Sequence, residues 1–323
     1  MLIDGKWSAN WDPVQAKDAK GGFVRQISSF RNFVTPDGSP GPTGTGGFKA
    51  EAGRYRLYVA LICPWASRTL IARAIKRLEK VIDITVVEPA LTDEGWRFGD
   101  DPVCRPDPIN GALHLHEIYT KADPHFTGRA TVPVLWDTQR ATIVNNESAD
   151  IVRMLNAGFG ALADQSVDLY PEGLRAEIDA INAEMYPRLN NGVYRAGFAT
   201  TQIAYDEAFA DVFAMLDTLE VRLEGRHFLV GERLTESDIR AFVTLIRFDA
   251  AYFGIFKCNL RRIADYPNLS AYLERMLAVP GIARTVNIDH IKRGYYSIKS
   301  LNPNRIVPLG PELPFSHLLP QTE

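Results

Sequence analysis

A change of hydrophobic period at Cys63 limits most strongly how this chain can fold. Before it, the segment RYRLYVALI alternates apolar residues with the period of two that is typical of a β-strand. After it, WASRTLIARAIKRLE carries apolar residues at helical spacing, and Pro64 occupies the first helical position, where proline is favoured. The segment DITVVEP then supplies a second strand. Strand, helix and strand this close together predict a βαβ unit with parallel strands and a right-handed crossover.

The segments that follow complete a thioredoxin-like order of elements. TVPVLWD and ATIVNNE are two further predicted strands, and SADIVRMLN is a predicted helix that begins at Ser148. Residues 90–128 are too irregular for this core, and they predict an insertion that carries a short hairpin. We therefore predict an α/β, thioredoxin-like domain over residues 54–160.

The rest of the chain differs from this domain in composition. Residues 1–53 are rich in Gly, Pro and polar groups, and they predict an extended arm that lies over the body. Residues 171–285 repeat apolar positions every three or four residues, which predicts an all-helical domain. Within it, Thr235 and Asp238 fit a capping box at a helix start. Residues 286–323 show repeated proline and no clear period, and they predict a surface tail.

Composition and charge argue against several classes of protein. Of the 323 residues, 46% are hydrophobic and 23% charged, with a net charge of -3, so a folded globular chain is expected. It has no basic stripe for nucleic acid or an anionic membrane. It also lacks a long apolar span and the layout of a signal peptide, which favours a cytoplasmic protein. Three scattered cysteines are too few for a disulfide framework, as expected in a reducing compartment.

Cys63 is the strongest candidate for a chemical role. At a strand end and helix start, backbone N–H groups and the helix dipole would stabilise its thiolate. The alternative is a buried, inert cysteine. The motif CPWA lacks the second thiol of Cys-x-x-Cys, so an outside thiol must resolve any mixed disulfide, which indicates a glutathione-consuming cycle. Cys104 and Cys258 lack such a setting and are expected to be passive.

Two further positions could bind a peptide-like ligand. Pro133 precedes a strand, so we predict a cis peptide that presents the backbone groups of Val132; an edge strand is the alternative. Glu147 and Ser148 open a helix, with Ser148 as the predicted N-cap. That helix start could also receive a carboxylate, and Glu147 could accept an ammonium group.

Other binding signatures are weaker. His114 and His116 would share one face of a predicted strand, but no third ligand with convincing spacing accompanies them, so no metal site is predicted. The chain contains neither GxGxxG nor GxxxxGK[ST], which argues against the usual dinucleotide and phosphate-binding loops.

Several motifs in order carry a family resemblance that covers nearly the whole chain. They are LYVALICPWASRTLIARAIKRLE, TVPVLWD, IVNNESADIVRMLN, NNGVYRAGFATTQIAYDEAF and IKRGYYSIKSLNPNRIVPLGP. Together they resemble the xi class of glutathione transferases, the glutathionyl-hydroquinone reductases. Cys-Pro alone is less specific, because the omega class and the glutaredoxins share it.

The resemblance implies a thioredoxin-like N-terminal domain, a helical glutathione-transferase C-terminal domain, a homodimer and glutathione as co-substrate. The implied glutathione-binding residues are Trp96, Arg129, Val132, Pro133, Glu147 and Ser148. Tyr194 and one of the pair Tyr295 and Tyr296, with Tyr295 the slight favourite, are implied to sit over the thiol and bind an aromatic substrate. Packing aromatics are the alternative for these tyrosines.

The implied reaction is the glutathione-dependent reduction of glutathionyl-hydroquinones through a mixed disulfide of Cys63 with glutathione. An omega-like thioltransferase or dehydroascorbate reductase would use the same cysteine on other substrates. A non-catalytic protein that binds glutathione or another ligand is the third possibility, although a carrier has no need of a nucleophile at a helix start.

Overall fold

The computed structural model of this chain describes residues 1–9 and 16–320. The strands are β1 (Leu2–Ile3), β2 (Lys6–Trp7), β3 (Ala16–Lys17), β4 (Phe23–Val24), β5 (Val34–Thr35), β6 (Phe48–Lys49), β7 (Tyr55–Val59), β8 (Ile82–Val86), β9 (Val134–Asp137) and β10 (Thr142–Asn145). The helices are α1 (Pro64–Ile75), α2 (Leu115–Ala122), α3 (Ser148–Arg153), α4 (Arg175–Met185), α5 (Gly192–Gly197), α6 (Gln202–Arg222), α7 (Glu236–Arg247), α8 (Pro267–Ala278) and α9 (Ile288–Tyr296). π-Helical turns continue α3, α4 and α7 at Met154–Gly158, Tyr186–Asn190 and Phe248–Tyr252.

The described residues form two compact units. The N-terminal unit contains residues 1–9 and 26–168, and the C-terminal unit contains residues 16–25 and 169–320. The predicted arm is therefore divided between the two units. Residues 16–25 belong to the second because Phe23 is buried there, with its ring 5.7 Å from the ring of Phe198.

A four-stranded sheet with the order β10-β9-β7-β8 organises the N-terminal unit. Strands β7 and β8 are parallel and are joined through α1, whereas β9 runs antiparallel to both β7 and β10. The predicted βαβ unit and thioredoxin-like order are confirmed. Because β7 lies between two strands and both of its faces are covered, Leu57, Tyr58 and Val59 are all fully buried.

Residues 90–128 differ in part from their prediction. Isolated antiparallel bridges pair Thr92 with Gly95 and Arg97 with His114, without hairpin strands of any length, and helix α2, which was not predicted, follows the second bridge directly. The sequence LHEIYTKA forms a helix because Leu115, Ile118 and Tyr119 fall on one buried face at a spacing of three and four residues. His114 and His116 therefore lie at the start of a helix and not on a strand.

The arm residues of the N-terminal unit are held by backbone pairing and by buried apolar side chains. Strand β1 pairs with β2, and β5 runs parallel to β6. The backbone N–H of Leu2 donates to the oxygen of Gly128 over 2.9 Å, and Arg31 forms a bridge with Asn145 of β10. Phe33 and Phe48 are buried, so the segment is ordered by what it packs against and not by its own composition.

The C-terminal unit is helical, as predicted, with α7 buried on almost every side. The capping box of Thr235 and Asp238 at the start of α7 is confirmed. The predicted tail is corrected, because α9 occupies residues 288–296. Asn287 caps this helix by accepting from the N–H of His290 over 2.8 Å, and Ile291 and Tyr295 form its buried face. Ile288, Ile291 and Tyr295 do follow a helical spacing of three and four residues, but this period lasts only about two turns and was missed in the sequence.

None of the described helices combines the length and apolar character that crossing a membrane requires.

Candidate active site

The Cys63 thiol lies where β7 gives way to α1. Cys63 is the N-cap of the helix, with extended backbone angles (φ -77, ψ 118), and Pro64 is the first helical residue. The side chain is partly exposed, and its Sγ donates to the backbone oxygen of Val132 over 3.5 Å. A thiol at a helix N-terminus is placed to act as a thiolate nucleophile, because the dipole there favours negative charge.

The second turn of α1 contains a buried cation. The Arg68 side chain is 2% exposed, and its guanidinium carbon lies 4.4 Å from the centre of the Trp65 ring. This cation–π contact holds the Trp65 ring, two residues after Cys63 in the CPWA motif, against the helix.

The peptide bond between Val132 and Pro133 is cis. Strand β9 begins at the next residue and is paired on both sides, by β7 and by β10, so the edge-strand alternative is wrong. Val132 itself is buried. The structure therefore brings Cys63 and the predicted Val132-Pro133 segment together.

Tyr119 ties this segment to the start of α3. Its hydroxyl donates to the oxygen of Thr131 over 2.8 Å and accepts from the Nδ2 of Asn146 over 3.1 Å, which joins the residue before Val132 to the residue before Glu147. Burial raises the pKa of Tyr119, so the phenol stays protonated and able to donate. Sequence reasoning missed this residue, because it lies in helix α2, within the segment that was predicted as an irregular insertion.

The cap of α3 is Glu147 and not Ser148, which corrects the predicted N-cap. Glu147 accepts from the backbone N–H of Ala149 over 3.1 Å, and its other oxygen accepts from the Oγ of Ser28 over 3.0 Å. Ser148 becomes the first helical residue, and its hydroxyl lies 3.4 Å from Glu147 Oε1. The longer carboxylate reaches back over the first turn and supplies the acceptor that a serine hydroxyl usually provides.

The other two predicted glutathione residues are held through their backbones. The oxygen of Trp96 accepts from the N–H of Leu115 over 2.9 Å, and its ring is partly exposed. The N–H of Arg129 donates to the side-chain oxygen of Gln26 over 3.1 Å, and its side chain is partly exposed as well. Both side chains remain predictions as glutathione ligands.

Three phenols meet inside the C-terminal unit. The hydroxyls of Tyr194 and Tyr295 lie 2.5 Å apart, and those of Tyr295 and Tyr252 lie 2.9 Å apart. The guanidinium of Arg25 lies over the Tyr194 ring, 4.7 Å from its centre. Burial raises the pKa of both Tyr252 and Tyr295 well above the usual range, so these hydroxyls remain protonated.

Tyr295 and Tyr296 therefore lie in different environments. Tyr295 is 2% exposed and lies in the tyrosine cluster, whereas the hydroxyl of Tyr296 lies near Gly254. Tyr252 was missed by sequence reasoning, because in RFDAAYF it has the spacing of an ordinary buried aromatic residue. No local signal distinguishes it.

The three cysteines all lie in the described part of the chain, and none is in a disulfide. Cys104 is buried, and its Sγ donates to the oxygen of Val87 over 3.3 Å. Burial raises the pKa of the Cys258 thiol to about 12. A buried thiol that stays protonated is a poor nucleophile, so Cys63 is the best placed of the three.

Fold and cysteine site together are those of a glutathione transferase. Residues 62–157 match the family described as the N-terminal domain of glutathione S-transferase, and residues 202–275 match its C-terminal domain. The chain is 51% identical to glutathionyl-hydroquinone reductase YqjG of Escherichia coli, with 96% of this chain and 95% of the relative covered. It is 50% identical to glutathionyl-hydroquinone reductase PcpF of Sphingobium chlorophenolicum, with 100% and 99% covered.

Solved structures agree with these sequence relatives. The glutathione-bound structure of YqjG matches with a TM-score of 0.89 and 48% identity, covering 96% of this chain and 95% of that one. The xi glutathione transferase of Phanerochaete chrysosporium matches with a TM-score of 0.87 and 47% identity, covering 92% and 95%. The chain therefore belongs to the glutathionyl-hydroquinone reductases, the xi class of glutathione transferases.

Proposed function

We propose that this protein is a glutathione-dependent oxidoreductase that reduces glutathionyl-hydroquinones to hydroquinones, with Cys63 as the nucleophile. The observation that carries the proposal is the partly exposed Cys63 thiol at the start of α1, in a chain about half identical to relatives named for this reaction. A cytoplasmic location would supply the reduced glutathione that the reaction consumes.

In the first step the Cys63 thiolate attacks the sulfur of the conjugate. A sulfur–sulfur bond forms between Cys63 and the glutathionyl group, and the bond between that sulfur and the aromatic carbon breaks. The bonding electrons leave with the ring carbon, which takes up a proton and becomes the free hydroquinone. The two sulfurs are oxidised and the aromatic carbon is reduced.

A second glutathione completes the cycle. Its thiolate attacks the glutathionyl sulfur of the mixed disulfide, which releases oxidised glutathione and restores the Cys63 thiolate. The motif CPWA has no second cysteine to do this internally, so the cycle consumes one free glutathione for each hydroquinone formed.

The proposed glutathione ligands have complementary chemistry. The N-terminus of α3, at Ser148, suits a carboxylate, and the Glu147 carboxylate suits an ammonium group. The backbone of Val132, beside Pro133, suits the peptide part of glutathione, and Trp96 and Arg129 supply an aromatic face and a cation.

The proposed role of the tyrosines is to stabilise charge on the substrate ring. The hydroxyls of Tyr194 and Tyr295 would hydrogen-bond a ring oxygen while electron density returns to the ring, and one of them would supply the proton. Tyr252 would act as a positioning residue through its hydrogen bond to Tyr295.

The direct test is mass spectrometry of the full chain after mixing with a glutathionyl-hydroquinone in the absence of free glutathione. We expect an added glutathione on the peptide that contains Cys63, and release of the hydroquinone in equal amount. Cys63→Ala should abolish both, while Cys104→Ser serves as the control. Turnover by Cys63→Ser at the wild-type rate would overturn the mechanism.

The same cysteine would also serve an omega-like thioltransferase or dehydroascorbate reductase. These activities are separated by comparing kcat/KM for a glutathionyl-hydroquinone, for the mixed disulfide of glutathione with 2-mercaptoethanol and for dehydroascorbate. We expect the aromatic conjugate to be preferred, because the proposal assigns the tyrosine hydroxyls to an aromatic oxygen.

A further inference from the structure

Two histidines and a glutamate meet beside α2 in the N-terminal unit. One ligand atom from each of Glu94, His114 and His116 lies within 4.8 Å of the others. The Nε2 of His114 is 3.5 Å from the Oε2 of Glu94. None of these residues has a role in the proposed reaction.

Backbone hydrogen bonds hold the segments that carry the three residues. Glu94 lies in a turn closed by two hydrogen bonds of 3.0 Å between Thr92 and Gly95. His114 directly precedes α2, in the bridge with Arg97, and His116 lies in the first turn of α2. The site is therefore built on one rigid piece of backbone, as a selective ligand site requires.

His116 contributes the observation that points to a ligand. Its ring is stacked between Trp7, at 4.5 Å between ring centres, and His114, at 5.4 Å. Its Nε2 is buried and has no hydrogen-bond partner among the described residues. Buried polar atoms are nearly always paired, so an unpaired nitrogen on a ring in this cluster indicates that a ligand is missing there.

We propose that Glu94, His114 and His116 bind one divalent transition metal ion, of the class represented by Zn²⁺. Two imidazoles and a carboxylate are a typical three-residue set for such ions, with water in the fourth position. Imidazole ligands disfavour Mg²⁺ and Ca²⁺, which prefer oxygen alone.

Binding requires side-chain rotation, because the His114 and His116 rings lie parallel, with 4° between their planes, and a nitrogen lone pair lies in the plane of its ring, so one ring must turn for both to reach one ion. Bonds of about 2.0–2.2 Å in a tetrahedron place ligand atoms roughly 3.3–3.5 Å apart, which the His114 and Glu94 atoms already match. The Glu94 side chain is 58% exposed and free to swing toward His116. The sequence alone predicted no metal site, because this third ligand precedes the two histidines by many positions and shares no motif with them.

The test uses untagged, full-length protein that carries Cys63→Ala, so that the reactive thiol does not bind metal, and buffer without glutathione. Zn²⁺ affinity is measured by competition with a chromophoric chelator, and Co²⁺ serves as a probe whose visible absorption reports a tetrahedral site. Two variants are added to this background, Glu94→Gln and His116→Phe, the second of which keeps a ring in the stack with Trp7. The matched control is His125→Gln, at an exposed histidine paired with Asp4.

We expect one Zn²⁺ per chain and an intense Co²⁺ spectrum without bands from a thiolate ligand. Glu94→Gln and His116→Phe should each weaken Zn²⁺ binding by at least about tenfold while the circular dichroism is kept, and His125→Gln should change nothing. Failure to bind Zn²⁺ at micromolar concentration, or equal affinity in all variants, would overturn the proposal and leave the rings as a packing stack.

Discussion

At the scale of single residues, the three cysteines differ in burial, and the difference has a measurable consequence. Cys63 is partly exposed, whereas Cys104 and Cys258 are buried. Because burial raises the pKa of Cys258 to about 12, only about one molecule in a thousand carries that thiolate at pH 9. An unperturbed thiol would be substantially ionised at the same pH.

We therefore expect iodoacetamide at pH 9 to alkylate Cys63 and to leave Cys258 unmodified in the native protein. Mass spectrometry of peptides over time measures both rates. In urea, where the fold is lost, all three cysteines should react, which provides the control. Modification of native Cys258 as fast as Cys63 would contradict the assignment of the reactive thiol.

The adjacent tyrosines Tyr295 and Tyr296 supply a matched pair of substitutions. Tyr295→Phe removes the hydroxyl that bonds both Tyr194 and Tyr252, whereas Tyr296→Phe leaves this cluster intact. On the proposed function, we expect kcat/KM for the aromatic conjugate to fall by about 10²-fold in the first variant and by less than about twofold in the second. Steady-state kinetics measure both, and equal losses would count against a role for the tyrosine cluster.

At the scale of elements, the start of α3 combines a structural and a proposed binding role in Glu147. Glu147→Gln keeps an oxygen that can accept from Ala149 but removes the negative charge, while Glu147→Ala removes both. We expect both variants to raise the KM for glutathione, and only Glu147→Ala to lose about 1 kcal/mol of stability. An unchanged KM in Glu147→Gln would show that Glu147 is only a cap.

The start of α7 depends on a buried carboxylate. Asp238 accepts from the N–H groups of Leu229 and Thr235, from the Thr235 hydroxyl and from the Tyr272 hydroxyl, at 2.8–3.0 Å. Asp238→Ala leaves these buried donors unpaired, and we expect it to lower the free energy of unfolding by about 2–4 kcal/mol. Urea denaturation measures the loss. Asp238→Asn, which keeps an acceptor oxygen, should cost less, and an equal cost would contradict this account.

At the scale of the whole molecule, the family resemblance implies a homodimer. Sedimentation equilibrium across a range of protein concentrations measures the assembly mass directly. We expect twice the chain mass at micromolar concentration, with dissociation, if any, only on dilution. A single-chain mass at every concentration would overturn this expectation, and it would leave the Cys63 chemistry untouched.

The sequence by itself determined the elements whose signal is local. The period-two strand before Cys63, the proline after it and the second strand specify a βαβ unit, and that unit places the thiol at a helix start. The capping box at Thr235 and the helical periods of the C-terminal unit are equally local. Such patterns can be recognised in a sequence because each depends on residues only a few positions apart.

Only the tertiary structure decided which distant groups meet. Tyr119 joins Thr131 to Asn146, Tyr295 joins Tyr194 to Tyr252, and Glu94 approaches the two histidines at the start of α2. Tertiary packing also formed helix α2 within the segment predicted as an irregular insertion, and it put Glu147 at the cap of α3. These contacts join residues that lie between about ten and a hundred positions apart in the sequence. A local hydrophobic period cannot predict them, because they depend on how the elements pack together.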